Sequence, residues 1–176
     1  RIVVDFLFAV RPINTELEYG DLNRVIQELL DFIKFELDGA KVKVELQLQE
    51  PIPQILMDER YMKQAVMNII KNAIQAMPDG GTLLIQTHQR GAELQLTISD
   101  KGVGIPEENL DKIFEPYFTT KEFGSGLGLT IVYKIVKEHL GEISVSSKPG
   151  EGASFTLSFP IPQKERRLIV YREEEE

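Results

Sequence analysis

Apolar residues return every three or four positions through residues 21–37, where Leu22, Val25, Ile26, Leu29, Leu30, Ile33 and Leu37 line one side of a helix that Asp21 is placed to cap. Residues 41–49, KVKVELQLQ, alternate instead and predict a strand, with Pro51 and Pro53 breaking the chain behind it. Asp58 opens a second helix, whose stripe is Met62, Ala65, Val66, Ile69, Ile70, Ala73 and Met77 and whose end is Pro78-Asp79-Gly80-Gly81. Two further alternating runs, 82–88 and 92–100, meet at Gln89-Arg90-Gly91 and predict a hairpin. A glycine-punctuated stretch over 101–126 leads into a third helix carrying Leu127, Ile131, Val132, Ile135, Val136 and Leu140 and stopped by Gly141. Strands over 142–147 and 153–160 follow, the second with Phe155, Leu157 and Phe159 on one face. Three helices and at least five strands, with hairpins and no regular strand-helix-strand alternation, predict an α/β (α+β) two-layer sandwich: a mixed, mainly antiparallel sheet covered on one face by three helices.

The ends of the chain behave differently. Residues 1–10, RIVVDFLFAV, are so densely apolar up to Pro12 that they predict the end of a longer helix whose partner lies elsewhere. Residues 13–20 are expected to be a linker, 21–162 the main domain, and 163–176 a strand and an acidic tail. The run 167–172, RLIVYR, is either an ordinary edge strand or one that docks a sensor domain or a neighbouring protomer.

Composition narrows the chemistry. The chain has no cysteine, which removes disulfides, thiol nucleophiles and cysteine-based zinc sites together. Its two histidines, His88 and His139, cannot build a histidine cage. With 20 Lys and Arg against 28 Asp and Glu the net charge is −8, which disfavours nucleic acid as a partner yet allows a small cationic phosphate site. No apolar run reaches the roughly 18 to 20 residues of a membrane span, so this stretch is expected to make no membrane contact and to be cytoplasmic.

Three places stand out within this frame. Gln64, Asn68 and Asn72 stack at i, i+4 beside the second helix's apolar stripe, either as a polar edge or as a row of oxygen ligands for a hard cation such as Mg²⁺. Asp100-Lys101-Gly102-Val103-Gly104 follows a strand, where it is either a turn or a carboxylate beside backbone that a flat ligand can approach. Gly124-Ser125-Gly126-Leu127-Gly128-Leu129 runs into a helix, and loop amides with a helix amino end form an anion site. Between the last two, residues 114–121 (FEPYFTTK) form either a small core patch or a hinge for a lid. Residues 149–155 taken alone are a tight turn between strands.

The order of these pieces is more specific than any of them. With Asn68-Ile69-Ile70-Lys71-Asn72-Ala73 as N box, 100–104 as G1 box, 114–118 as F box, 124–129 as G2 box and 150–155 as the last glycine box, the chain resembles the ATP-binding catalytic domain of sensor histidine kinases, in the GHKL superfamily of Bergerat-fold ATPases and kinases. The resemblance spans about 21–160 and implies ATP and Mg²⁺ between helices, loops and sheet. It implies that Asp100 accepts from the adenine amine, that Asn72 ligates Mg²⁺ with Asn68 as its helper, and that Gly126, Leu127, Gly128 and Leu129 hold the phosphates. Gly102, Gly104, Phe118, Thr119, Thr120, Ser125 and Ser154 complete the implied nucleotide set, and Lys121 in a lid meets the β and γ phosphates with a catalytic role beside Asn68. Many relatives have Lys or Arg three residues after the metal asparagine; Gln75 stands there in this chain. Superfamily ATPases have a water-activating glutamate where this chain has Asn68, which argues against a hydrolytic clamp and for transfer to another nucleophile. That nucleophile is implied to be a histidine on a separate dimerisation domain, with a response regulator aspartate downstream; residues 1–12 resemble the end of that domain. A third alternative, an interaction module keeping only the fold, would not need intact boxes.

Overall fold

The computed structural model describes residues 13–120 and 124–163. Its elements run β1 (Glu18–Gly20), α1 (Leu22–Gly39), β2 (Val42–Leu48), β3 (Ile55–Met57), α2 (Glu59–Ala76), β4 (Gly81–Arg90), β5 (Glu93–Asp100), α3 (Glu107–Leu110), α4 (Gly128–Glu138), β6 (Glu142–Lys148) and β7 (Gly152–Pro160). Each long helix and each strand of the main sheet lies within a few residues of where its periodicity predicts it. Asp21 caps α1 by accepting from the Arg24 amide, and Asp58 caps α2 by accepting from that of Arg60. The expected strand over 167–172 and the apolar run 1–10 lie outside the described residues.

Five strands form one sheet in the order β2-β4-β5-β7-β6. Only β2 and β4 pair in parallel, joined through β3 and α2; the other pairs are antiparallel, including the expected β4–β5 hairpin. Alternation puts Leu83, Ile85, Leu94, Leu96, Ile98, Phe155, Leu157 and Phe159 on the inner face, where they are buried under the stripes of α1, α2 and α4. Helices α1 and α2 lie side by side in the same direction, because Arg24 pairs with Glu59 and Glu28 with Lys63 one turn further along both. The opposite face of the sheet is a polar ladder, with Gln47 bonded to Gln86, Thr97 to Thr156 and Ser99 to Ser154 across neighbouring strands. The architecture is thus the predicted two-layer sandwich with helices on one side.

The structure corrects the reading of 13–20 as a linker: Glu18–Gly20 pairs antiparallel with Ile55–Met57, and Ile13 is buried in the core. Neither three-residue strand is long enough to show a period. The junction beside this pair is built on Asp58, whose carboxylate accepts from the Glu16 amide and from the Arg60 guanidinium. The Asp58 amide donates to Nε2 of His139, whose Nδ1 lies 2.7 Å from the Ile135 carbonyl. Both histidine bonds are made together by the neutral Nδ1–H tautomer. His139 thus joins the end of α4 to the start of α2.

Candidate functional site

Between the C-terminal half of α2, the loops after β5 and the start of α4 lies a cleft of about 650 Å³, a size that suits a small-molecule ligand. One end is built by the turn after β5. The Asp100 side chain, 7% exposed, accepts from the Gly102 amide at 2.8 Å. Gly102 has no room for a side chain because a Cβ there would stand 2.5 Å from the Ala76 carbonyl oxygen, and the Val103 amide donates to the same oxygen. The turn is therefore locked to the end of α2 with its carboxylate on the cleft wall, beside Ala76, Val103, Gly104 and Ile105.

The last glycine box braces this turn from behind. At Gly152, with φ +87°, a Cβ would lie 2.0 Å from the Asp100 carbonyl oxygen, and the Gly150 amide donates to Val103. Ser147 links the two loops, accepting from the Ile105 amide and donating to the Gly152 carbonyl.

The other end is built by α2 and α4. Asn68 and Asn72 line the wall one helical turn apart, and the Asn68 amide nitrogen donates to the Gly128 carbonyl at 3.2 Å, tying the two helices together at this point. Gly126 adopts φ +67° and its carbonyl accepts from the Tyr117 amide, while Thr130 donates to the Phe114 carbonyl. The 114–118 stretch is thereby fixed to the glycine loop and to α4. Gly128 differs from these neighbours in that a Cβ there would meet nothing within 4 Å, although the residue lines the cleft.

Of the residues expected at the site, the structure brings Asn68, Asn72, Asp100, Gly104, Phe118, Thr119, Thr120, Ser125, Gly126, Gly128 and Leu129 to this one cleft. Gly102 and Leu127 support it without lining it; Leu127 is buried in the core. Lys121 lies outside the described residues. Ser154 is a correction: its hydroxyl meets Ser99 on the open face of the sheet, and its neighbours Ala153 and Phe155 line the cleft instead. The sequence reading also passed over Lys71, Ile113, Asn109 and Glu36, all on the wall. Lys71 is named in the N box string but sits three residues after Asn68, off the i, i+4 row.

Two amide side chains suit Mg²⁺ better than a cation that needs a full protein cage, and among the described residues no group of three or more His, Asp or Glu side chains is placed to form one. A magnesium ion held by Asn72, with Asn68 beside it, would take its remaining ligands from phosphate and water.

A buried carboxylate at one end of a cleft and stacked amides with a helix amino end at the other mark a two-layer α/β domain with a ligand-sized cleft on its helical side. The chain belongs to the family described as histidine kinase-, DNA gyrase B- and HSP90-like ATPase, whose model matches residues 57–163. Among curated proteins it is 35% identical over 169 residues to sporulation kinase E of Bacillus subtilis (strain 168), covering 94% of this chain and 23% of that protein. It is 35% identical over 161 residues to the sensor histidine kinase ZraS of Escherichia coli (strain K12), covering 92% of this chain and 35% of that one. The chain thus spans roughly a quarter to a third of the length of these relatives. Among solved structures, full-length ShkA in complex with AMPPNP superposes with a TM-score of 0.83 at 23% identity over 93% of this chain and 36% of that one, a likeness of fold. Histidine kinase ThkA in complex with the response regulator TrrA superposes with a TM-score of 0.79 at 26% identity, over 92% of this chain and 46% of that one.

Proposed function

We propose that the cleft binds Mg-ATP with the adenine at the Asp100 end and the phosphates toward Asn68, Asn72 and the start of α4, and that the domain donates the γ-phosphoryl to a histidine on a separate dimerisation domain. The observation that carries this reading is the convergence of Asp100, Asn68, Asn72, Gly126 and Gly128, drawn from three separate stretches of chain, on one cleft. Asp100 supplies an acceptor held in place by the Gly102 amide, which suits an exocyclic amine. Val103, Ile105 and Ile113 give the base an apolar wall. The amino end of α4, where the N-cap Leu127 makes no side-chain cap hydrogen bond, offers backbone amides and a positive dipole end to the phosphates.

Bound magnesium would draw charge from the phosphate oxygens. In the transfer, an imidazole nitrogen of the acceptor bonds to the γ-phosphorus as the bond from that phosphorus to the bridging oxygen breaks, and ADP leaves. Asn68 has no basic group with which to activate water, so hydrolysis in the absence of an acceptor is slow. The names of the relatives support the kinase reading, the AMPPNP complex of ShkA supports nucleotide in this fold, and the ThkA–TrrA complex supports a response regulator as downstream partner. The domain then works in the cytoplasm, where ATP is supplied; among the described residues no helix is long and apolar enough to cross a membrane.

Calorimetric titration of ATP with and without Mg²⁺, beside an Asp100→Asn variant, tests the reading. The expected result is binding by the parent chain that tightens with Mg²⁺, and a loss of about ten-fold or more in Asp100→Asn, the scale of a hydrogen bond to a charged group. An absence of ATP binding by the parent chain would overturn it.

A further inference from the structure

We infer that Lys71 supplies the cleft wall's positive charge for the nucleotide's phosphate tail, a role that rests on the nucleotide reading above and extends it to a residue outside the expected site. Among the described residues that line the cleft, Lys71 is the only cation, while Glu36 and Asp100 add two carboxylates. A triphosphate brought into this cleft without a cation would meet net negative charge. The neighbouring lysine on the same helix, Lys63, is paired with Glu28 at 2.7 Å, whereas Lys71 makes no ion pair within 4.0 Å among the described residues. Its ammonium is therefore not committed to a carboxylate among the described residues.

Its level along α2 fits the outer part of a nucleotide and not the base. The Asp100 turn is fastened to Ala76, while Asn68 is fastened to Gly128 at the start of α4. At a rise of 1.5 Å per residue those two anchor points lie about 12 Å apart along the helix, and Lys71 is about 7.5 Å from the Ala76 level. A base seated at Asp100 leaves its phosphates in the Asn72 to Asn68 half, where a lysine stem of about 6 Å lets the ammonium move along the tail. Gln75, one turn nearer the base end, lines the same wall with a neutral side chain. The one cation among the described lining residues thus stands in the Asn68 to Asn72 stretch of α2, away from the Ala76 level. A lysine there acts as a mobile point charge without the fixed fork of an arginine.

The experiment compares Lys71→Met and Lys71→Arg with the parent chain in calorimetric titrations of adenosine and of ATP, at two salt concentrations, with thermal unfolding of each variant alongside. The expected result is that Lys71→Met weakens ATP about ten-fold, the order of one charge-assisted contact, while adenosine binds as before and the melting temperature holds. Lys71→Arg recovers most of the ATP affinity, and the salt dependence of ATP binding is shallower in Lys71→Met than in the parent. Unchanged ATP affinity in Lys71→Met would overturn the inference and leave the nucleotide reading standing. Equal losses for adenosine and ATP would overturn it too, because the effect would then belong to the shape of the cleft. Failure of the parent chain to bind either ligand would remove the nucleotide reading and this inference together.

Discussion

Two glycines two residues apart make opposite demands on the chain. Gly126 holds φ +67° with the Tyr117 backbone 2.4 Å from where a Cβ would stand, so the fold itself requires it. Gly128 begins α4 in ordinary helical backbone with nothing within 4 Å of a Cβ, so nothing in the fold does. Gly126→Ala is expected to cost at least about 1 kcal/mol in stability, since the left-handed conformation disfavours any side chain. Gly128→Ala is expected to leave stability unchanged or raise it by up to about 1 kcal/mol, as alanine replaces glycine in a helix, while ATP affinity falls because the new methyl group occupies cleft volume. Thermal unfolding and titration on the same preparations check both halves. A Gly128→Ala protein that binds ATP as tightly as its parent would show that the glycine is there for another reason.

At the scale of elements, the start of α2 is the joint on which β1, α2 and α4 meet. The Arg60 guanidinium bonded to Asp58 holds its carboxyl down at about 2 against the effect of burial, helped by the amides of Glu16 and Arg60. Because the folded-state value lies below the ordinary carboxylate value, this contribution to stability is fully present above about pH 4 and is lost as pH falls toward 2. Asp58→Ala is expected to lower stability by about 2 kcal/mol through loss of the cap and of these bonds. It should also flatten the pH dependence of unfolding between pH 4 and 2, which urea titrations across that range measure. The long helices and the sheet strands were legible because each carries its own period over seven or more residues. The β1–β3 pair was not, since three residues have no period and their pairing depends on a partner 35 or more positions away. The site was legible in part for the same local reasons: Asn68 and Asn72 announce themselves by helical spacing and the glycine turns by composition. Ser154 was misplaced because one step along a strand changes the face, so that Ala153 and Phe155 reach the cleft and Ser154 does not. Lys71 lines the cleft without a spacing signal of its own, because at i+3 from Asn68 it falls off the i, i+4 row.

At the scale of the whole molecule, all the candidate chemistry lies on the helical side of one sheet. His88, in β4, is exposed and pairs with Gln95 on the polar face, away from the cleft, and His139 is buried with both ring nitrogens engaged. Neither histidine of the chain lines the cleft. Incubation with γ-labelled ATP is expected to give no acid-labile label on this chain alone, and label on an added dimerisation domain that carries a histidine; stable phosphohistidine on the chain itself would contradict this. The same one-sidedness has a practical consequence for watching the protein at work. With no native thiol anywhere in the sequence, one cysteine introduced at His88 would give an attachment point for a surface or a dye behind the sheet. A cysteine introduced instead at Thr120 would carry a fluorophore at the cleft rim, so that one unmodified background serves both an inert tether and a reporter of occupancy.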